Sequence, residues 1–420
     1  MRRSSKSSPH RLSAESQRLV ALAQGVVQSG SRLEAKAWEL ALDTQTHKLL
    51  KSHHQAGIDH ALDHLFSIEP DGYDALMEAV EAGSESVTIE HDGVQFDALL
   101  VALPILAWTR FTIPSGPIAP ETLITIGVHL RAHVLATGVQ LALAPMLFSI
   151  DQLPRTPADT YALTCRMAQA ALDQELVKVT AQDSETAPFL ADTRYVLTVA
   201  VVPKGTALFC WQASLDLKER TRALEQWKTQ ATPIINSLLP GCGTDLLMPQ
   251  AYYMACREAD RSIRPASIRA AVHFLTNTLE IEADMLQAVI GAFGEDTAEE
   301  RTDEYRIGFM MADDTNVLYG IVWPLYGAED VEQSLREALA QTPSIPMSGT
   351  SGNPLETLLP IDEIRGLLRE AGIARVHQHE ERFRLEFCDD CGDPLYPDLD
   401  AELVHAEMPE DAPQPVSHFH

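Results

Sequence analysis

Apolar positions near the start of the chain recur at helical spacing. Leu19, Leu22, Ala23 and Val26 fall on one face, and the same rhythm runs through residues 14–29, 32–52, 56–66 and 70–82. Ser13 stands just ahead of the first run and is placed to cap it, since a hydroxyl there accepts from the free N–H groups of a first turn. Beyond residue 83 the period shortens to two. Val87-Thr-Ile-Glu90 and Val94-Gln-Phe-Asp-Ala-Leu-Leu-Val101 alternate on either side of His91-Asp92-Gly93. An Asp-Gly pair between such runs predicts a hairpin, because a type I′ turn needs residues that accept positive φ.

Two later stretches echo this one. Residues 195–202 and 207–211 flank Pro203-Lys204-Gly205, and residues 305–311 and 317–323 flank Asp313-Asp314-Thr315. The three tips lie about 110 residues apart. Helical segments near 120–134, 217–238 and 329–341 follow the hairpins. Extended segments then end in Leu143-Ala-Pro145, Leu247-Met-Pro249 and Leu358-Leu-Pro360, and helices near 158–173, 266–291 and 361–372 come next. A last hairpin-like stretch, 374–387, leads into the tail. Strand, helix, hairpin and helix thus iterate at a period of about 105–110 residues. The expected class is α+β: an N-terminal helical region followed by tandem ferredoxin-like (split βαβ) repeats, with antiparallel sheets covered by helices on one side. The expected boundaries are a disordered basic arm at 1–12, a helical region at 13–83, a first α+β region at 84–240, its repeat at 241–387 and an acidic tail at 388–420.

Composition narrows the partners. A chain of 420 residues with 45% hydrophobic positions can bury several cores. Its net charge of −28 repels nucleic-acid phosphates and anionic lipid headgroups, so neither nucleic acid nor a membrane is expected as a partner. The local exception is the arm, with Arg2, Arg3, Lys6 and Arg11. No apolar run approaches the ~18 residues of a membrane span. Residues 19–27 are interrupted by polar side chains and lack a small-residue cleavage site, so no signal peptide is expected. Cys165, Cys210, Cys242 and Cys256 are scattered, and without an export signal they read as buried thiols of a reducing cytoplasm. Neither a Gly-rich phosphate loop nor a nucleophile elbow occurs.

The chemistry concentrates in Cys388-Asp-Asp-Cys391-Gly-Asp-Pro-Leu-Tyr-Pro397. Two cysteines three apart, with glycine next, suit a zinc knuckle, in which the turn presents both thiolates to one metal. Tetrahedral zinc takes four ligands. His405, on a short strand placed to return beside the knuckle, and the terminal His418 and His420 are the candidates for the rest. His377 and His379, just upstream, are further candidates. A set of four protein ligands would be closed, hence structural rather than catalytic. The alternatives are an acidic turn without metal and a redox pair. The redox reading is the poorer one, because Gly392-Asp-Pro-Leu does not start a helix that would activate a thiol. His60 with His64, and His129 with His133, have i, i+4 helical spacing. No Glu general base stands beside the first histidine of either pair, and both read as ordinary helix flanks.

The opening Arg11-Leu-Ser-Ala-Glu-Ser-Gln-Arg-Leu-Val20 and the close, Cys388–Pro397 with His418-Phe-His420, resemble an uncharacterised proteobacterial family, the domain of unknown function 2863. The resemblance extends over the full length. It implies a cytoplasmic bacterial protein and brings no activity. The function expected is therefore a soluble cytoplasmic binding or regulatory module with a structural zinc site, offering a sheet or groove to a protein or small-molecule partner. The alternatives are a hydrolase- or transferase-like enzyme with its site between repeats, and a metal-handling protein using the histidine-bearing tail.

Overall fold

A computed structural model of the chain describes residues 12–179, 190–214, 216, 218–295, 302–326, 329 and 359–408. The basic arm, and all but Glu329 of the helix expected near 329–341, lie outside the described residues. The chain opens with α1 (Ala14–Val27), α2 (Arg32–Lys51), α3 (Gln55–Ile68) and α4 (Pro70–Glu85), close to the expected segments. Ser13 Oγ accepts from the Ser16 N–H at 3.0 Å, and Ser31 Oγ from the Glu34 N–H at 3.2 Å. The apolar faces meet in a core around Leu19, Leu49, Ile58, Leu65 and Leu76.

Next come β1 (Ser86–His91), β2 (Val94–Trp108), β3 (Gly116–Pro117), α5 (Pro120–His133), β4 (Gln140–Phe148), α6 (Pro157–Asp173), β5 (Ala191–Pro203), α7 (Lys218–Asn236), β6 (Gly243–Leu246) and β7 (Gln250–Ala251). They form one antiparallel sheet in the order β1-β2-β5-β4-β3, with β6 and β7 also pairing with β2. The first hairpin is as expected: His91 pairs with Val94, and Asp92 and Gly93 both take positive φ. Since β2 and β4 each run antiparallel to β5, they are parallel to each other, so β2–α5–β4 is a split crossover around β5.

The expectation of helices on one side fails for this sheet. Its two faces lie in separate cores, one with α6 and the first half of α8 (Tyr252–Leu279), the other with α5 and α7. The reason is legible in β2 and β5, which are continuous apolar runs rather than alternating ones. The hairpin expected at 195–211 is also absent. β5 already has β2 on one edge and β4 on the other, so no edge remains for a returning strand. Residues 208–210 pair instead with the segment just after α5, through the Leu135–Phe209 bridge.

The second sheet contains β8 (Leu286–Gly294), β9 (Glu304–Met311), β10 (Tyr319–Pro324) and β11 (Arg375–Arg384), with α9 (Pro360–Glu370) preceding β11. Its order is β10-β9-β8-β11. The β9–β10 hairpin is as expected. The helix expected at 266–291 begins earlier, at Tyr252, and ends at Leu279, where Glu280 turns left-handed. Within 374–387 a single strand, Arg375–Arg384, runs parallel to β8 where a hairpin was expected, because the segment holds no residue suited to a tight turn. The second sheet is therefore a meander closed by one parallel strand, a different strand order from the first, and the topology gives no support to a tandem repeat. What is common to both is the α+β class.

One face of the second sheet packs on the second half of α8 and on α9, through Ile268, Phe274, Ile364 and Leu368. The other face, with Val289 and Met310, is covered by the tail through Tyr396, Leu399 and Val404. That covering layer carries the site.

Candidate metal centre

The tail forms a loop with a tied neck. Past β11, Phe387 bridges to Pro394, and the Leu395 N–H donates to the Glu386 carbonyl at 3.1 Å. Inside the loop the Cys388 N–H donates to the Asp393 carbonyl at 2.7 Å, and the Gly392 N–H to the Cys388 carbonyl at 2.9 Å. Gly392 has φ +83, a conformation that favours glycine. The chain then forms β12 (Tyr396–Pro397), turns, and returns as β13 (Leu403–Val404). Asp398 Oδ1 holds that turn by accepting from the N–H groups of Asp400 and Glu402, both at 2.9 Å. Tyr396 lies opposite Val404 in the pairing, so the next residue, His405, is delivered to the loop.

As a result Cys388, Cys391 and His405 converge, with their ligand atoms all within 4.8 Å of one another. Cys391 Sγ is 3.2 Å from His405 Nε2. Two thiols and an imidazole at this spacing can hold a metal ion. Cys388 is half-buried and Cys391 exposed. The Cys391 and Asp390 N–H groups point at Cys388 Sγ and hold its pKa below the ordinary thiol value. For Cys391 the Asp393 N–H acts in the same direction, but desolvation and the neighbouring Asp393 and Cys388 side chains outweigh it, and the thiol is raised.

The sequence did not single out three residues around this cluster. Asp393 Oδ2 lies 3.2 Å from Cys391 Sγ and 3.5 Å from His405 Nε2. Glu407 Oε1 lies 3.4 Å from His405 Nδ1, an enclosed nitrogen that makes no hydrogen bond. Arg306, on β9, is fully buried beneath the neck. Its Nη1 donates to the Glu386 and Leu395 carbonyls at 2.6 and 2.7 Å, and its Nε to Glu304 Oε1 at 2.6 Å. The guanidinium sits 4.4 Å from the Phe293 ring centre and 5.0 Å from that of Phe387. The strap crosses the sheet at Gly308 and Gly320, which face each other across β9 and β10. A Cβ on Gly320 would sit 2.2 Å from the Tyr396 ring, and one on Gly308 3.1 Å from the Pro397 carbonyl.

The other candidates fall elsewhere. His379 is buried, with Nε2 2.7 Å from the Asp398 carbonyl, and His377 packs edge-on against it; neither belongs to the cluster. His129 and His133 stack at 6.2 Å on α5, and His60 is exposed on α3; neither pair belongs to a metal-sized group. His418 and His420 lie outside the described residues. Away from the tail, a groove of about 1050 Å³ opens between the end of β2 and the helices α8 and α9. Trp108, Arg110, Phe111, Arg269 and His273 line it.

Fold and site together define an α+β protein in which a Cys/His loop caps the outer face of a sheet. The family model described as Protein of unknown function (DUF2863) matches residues 4–419, and the chain belongs to that family. Comparison with curated proteins and with solved structures found no match. Among the described residues, no helix is long and apolar enough to cross a membrane.

Proposed function

We propose that this protein is a cytoplasmic binding or regulatory module whose tail is locked onto the second sheet by one structural zinc ion. The observation that carries the reading is the convergence of Cys388, Cys391 and His405 in a loop whose neck is tied to the sheet by Arg306. Two thiolates and an imidazole suit zinc better than magnesium or calcium, which take oxygen ligands. Three of the four ligands that zinc takes are thus at hand, and the fourth in this reading comes from the tail. The free thiols elsewhere, Cys165, Cys210, Cys242 and Cys256, fit a reducing compartment. The groove beside Trp108 and Phe111 is the surface offered to a small-molecule ligand, with aromatic walls and Arg110 at its rim. Protein partners remain the other option, and the acidity of the chain disfavours nucleic acid.

The test is metal content by mass spectrometry on untagged protein, beside a Cys388→Ser/Cys391→Ser variant. About one zinc per chain is expected, absent from the variant, whose thermal midpoint falls with it. Wild-type protein purified and reconstituted without metal would sink the reading. The exposure of Cys391 favours a second reading, metal handling. In that case mild chelation strips the metal and leaves the thermal midpoint where it was.

A further inference from the structure

Three atoms of the tail already mark out a face of a tetrahedron. Cys391 Sγ, His405 Nε2 and Asp393 Oδ2 are separated by 3.2, 3.5 and 3.2 Å around the triangle. Bonds to zinc of the usual lengths, with tetrahedral angles, separate sulfur, nitrogen and oxygen ligands by roughly 3.3–3.6 Å. The Asp393 carboxylate thus stands at ligand spacing from the two donors nearest it, whereas Cys388 Sγ, grouped within 4.8 Å of Cys391 and His405 but not with Asp393, has to close on the carboxylate as the metal enters. We infer that Asp393 is the fourth ligand, which makes the centre a Cys388, Cys391, His405 and Asp393 site; this rests on the metal reading proposed above.

Local geometry commits Asp393 to this place. Its carbonyl accepts from the Cys388 N–H at 2.7 Å, so its backbone belongs to the same tight loop as both thiols. Pro394 follows it and keeps the residue before it out of helical conformation. Pro394 is itself fixed by its bridge to Phe387. The knuckle therefore supplies three donors from one six-residue loop, Cys388 to Asp393, and the returning strand adds the imidazole. Histidine then ligates through Nε2, the nitrogen facing Cys391 and Asp393, and Nδ1 carries the proton. Glu407 Oε1 lies 3.4 Å from Nδ1 outside hydrogen-bond geometry, and a small rotation of its exposed side chain would let it accept that proton. Ligation by Asp393 makes His418 and His420 dispensable for the metal.

The experiment uses full-length chain reconstituted with cobalt(II) as a spectroscopic stand-in for zinc, together with zinc competition against a chromophoric chelator. Asp393→Ala keeps the backbone hydrogen bond and should weaken zinc binding by at least ~10-fold, with a changed cobalt ligand-field band. Asp393→Cys should restore tight binding and strengthen the thiolate-to-cobalt charge-transfer band, because a third thiolate enters the set. His418→Ala/His420→Ala should match wild type in both readouts. Wild-type affinity and spectrum in Asp393→Ala, or loss of metal in the double histidine variant, would overturn the assignment while leaving the metal centre standing. A wild-type chain that takes up neither cobalt nor zinc overturns the metal reading itself, and this assignment with it.

Discussion

Arg306 shows how one side chain organises a loop it does not belong to. A guanidinium carries five donors in a rigid planar fork, and here two backbone carbonyls, a carboxylate and two aromatic faces surround it. Its Nη2 nonetheless has no hydrogen-bond partner, so the site is close to, but short of, full satisfaction. Arg306→Met removes the charge and leaves the Glu386 and Leu395 carbonyls and Glu304 to find other partners. The expected cost is about 3–5 kcal/mol in urea denaturation, together with reduced metal retention. Arg306→Lys should recover only part of it, since an ammonium does not reproduce the planar fork. Equal stability of the methionine variant and wild type would show that the clamp contributes nothing. This residue was invisible in the sequence because an arginine inside an apolar strand has no distinctive spacing, and the carbonyls it holds lie 80 and 89 residues away. Cys388, Cys391 and His405 were legible for the opposite reason: the knuckle is local, and β13 returns within a few residues.

At the scale of elements, the strap β12–β13 and the glycines beneath it form one fitted contact. Gly320 leaves room for the Tyr396 ring, and no other residue would. Gly320→Ala should cost roughly 1–3 kcal/mol by forcing the ring off the sheet, and should weaken zinc binding in parallel. The check is a double-mutant cycle: in a Tyr396→Ala background the alanine has nothing to displace, and its cost should largely vanish. Equal costs in both backgrounds would show that the ring is not what the glycine accommodates. Elements were readable from sequence wherever local chemistry decided them. Ser13 caps a helix, and Asp92-Gly93 closes a hairpin. Pairing was not readable where it depends on which sheet edges are free. Residues 207–211 look like the return strand of a hairpin, yet β5 has both edges filled. The stretch 374–387 looks like a hairpin only until β8 offers a parallel edge.

At the scale of the molecule, α8 joins the parts. Its first half belongs to the core of the first sheet and its second half to that of the second. Where it starts, it also meets the N-terminal helices: the Tyr253 N–H donates to Glu85 Oε2 at 2.9 Å, and Arg257 pairs with Glu81 at 2.7 Å. Burial, with Glu81 nearby, raises the Glu85 carboxyl to about 7, although the Tyr253 N–H and Arg257 oppose the shift. A carboxyl raised from an ordinary value near 4.5 favours the fold fully below that value and ceases to do so as pH rises through about 7. The helical region should therefore be held more firmly at pH 5 than at pH 8, by up to about 3 kcal/mol. In Glu85→Gln that part of the pH dependence should disappear, as read from urea denaturation at the two pH values. An unchanged slope in the variant would assign the dependence to other groups.

The tail that covers the second sheet also sets an order of events during synthesis. β8 and β9 leave the ribosome well before Tyr396 and Val404, the residues that cover Val289 and Met310. At cellular elongation rates the interval is on the order of ten seconds. Through that interval the outer face of the sheet has no cover, and a passing chaperone or a neighbouring nascent chain meets bare apolar surface. The final strap, by this order, closes the window for aggregation as well as the fold.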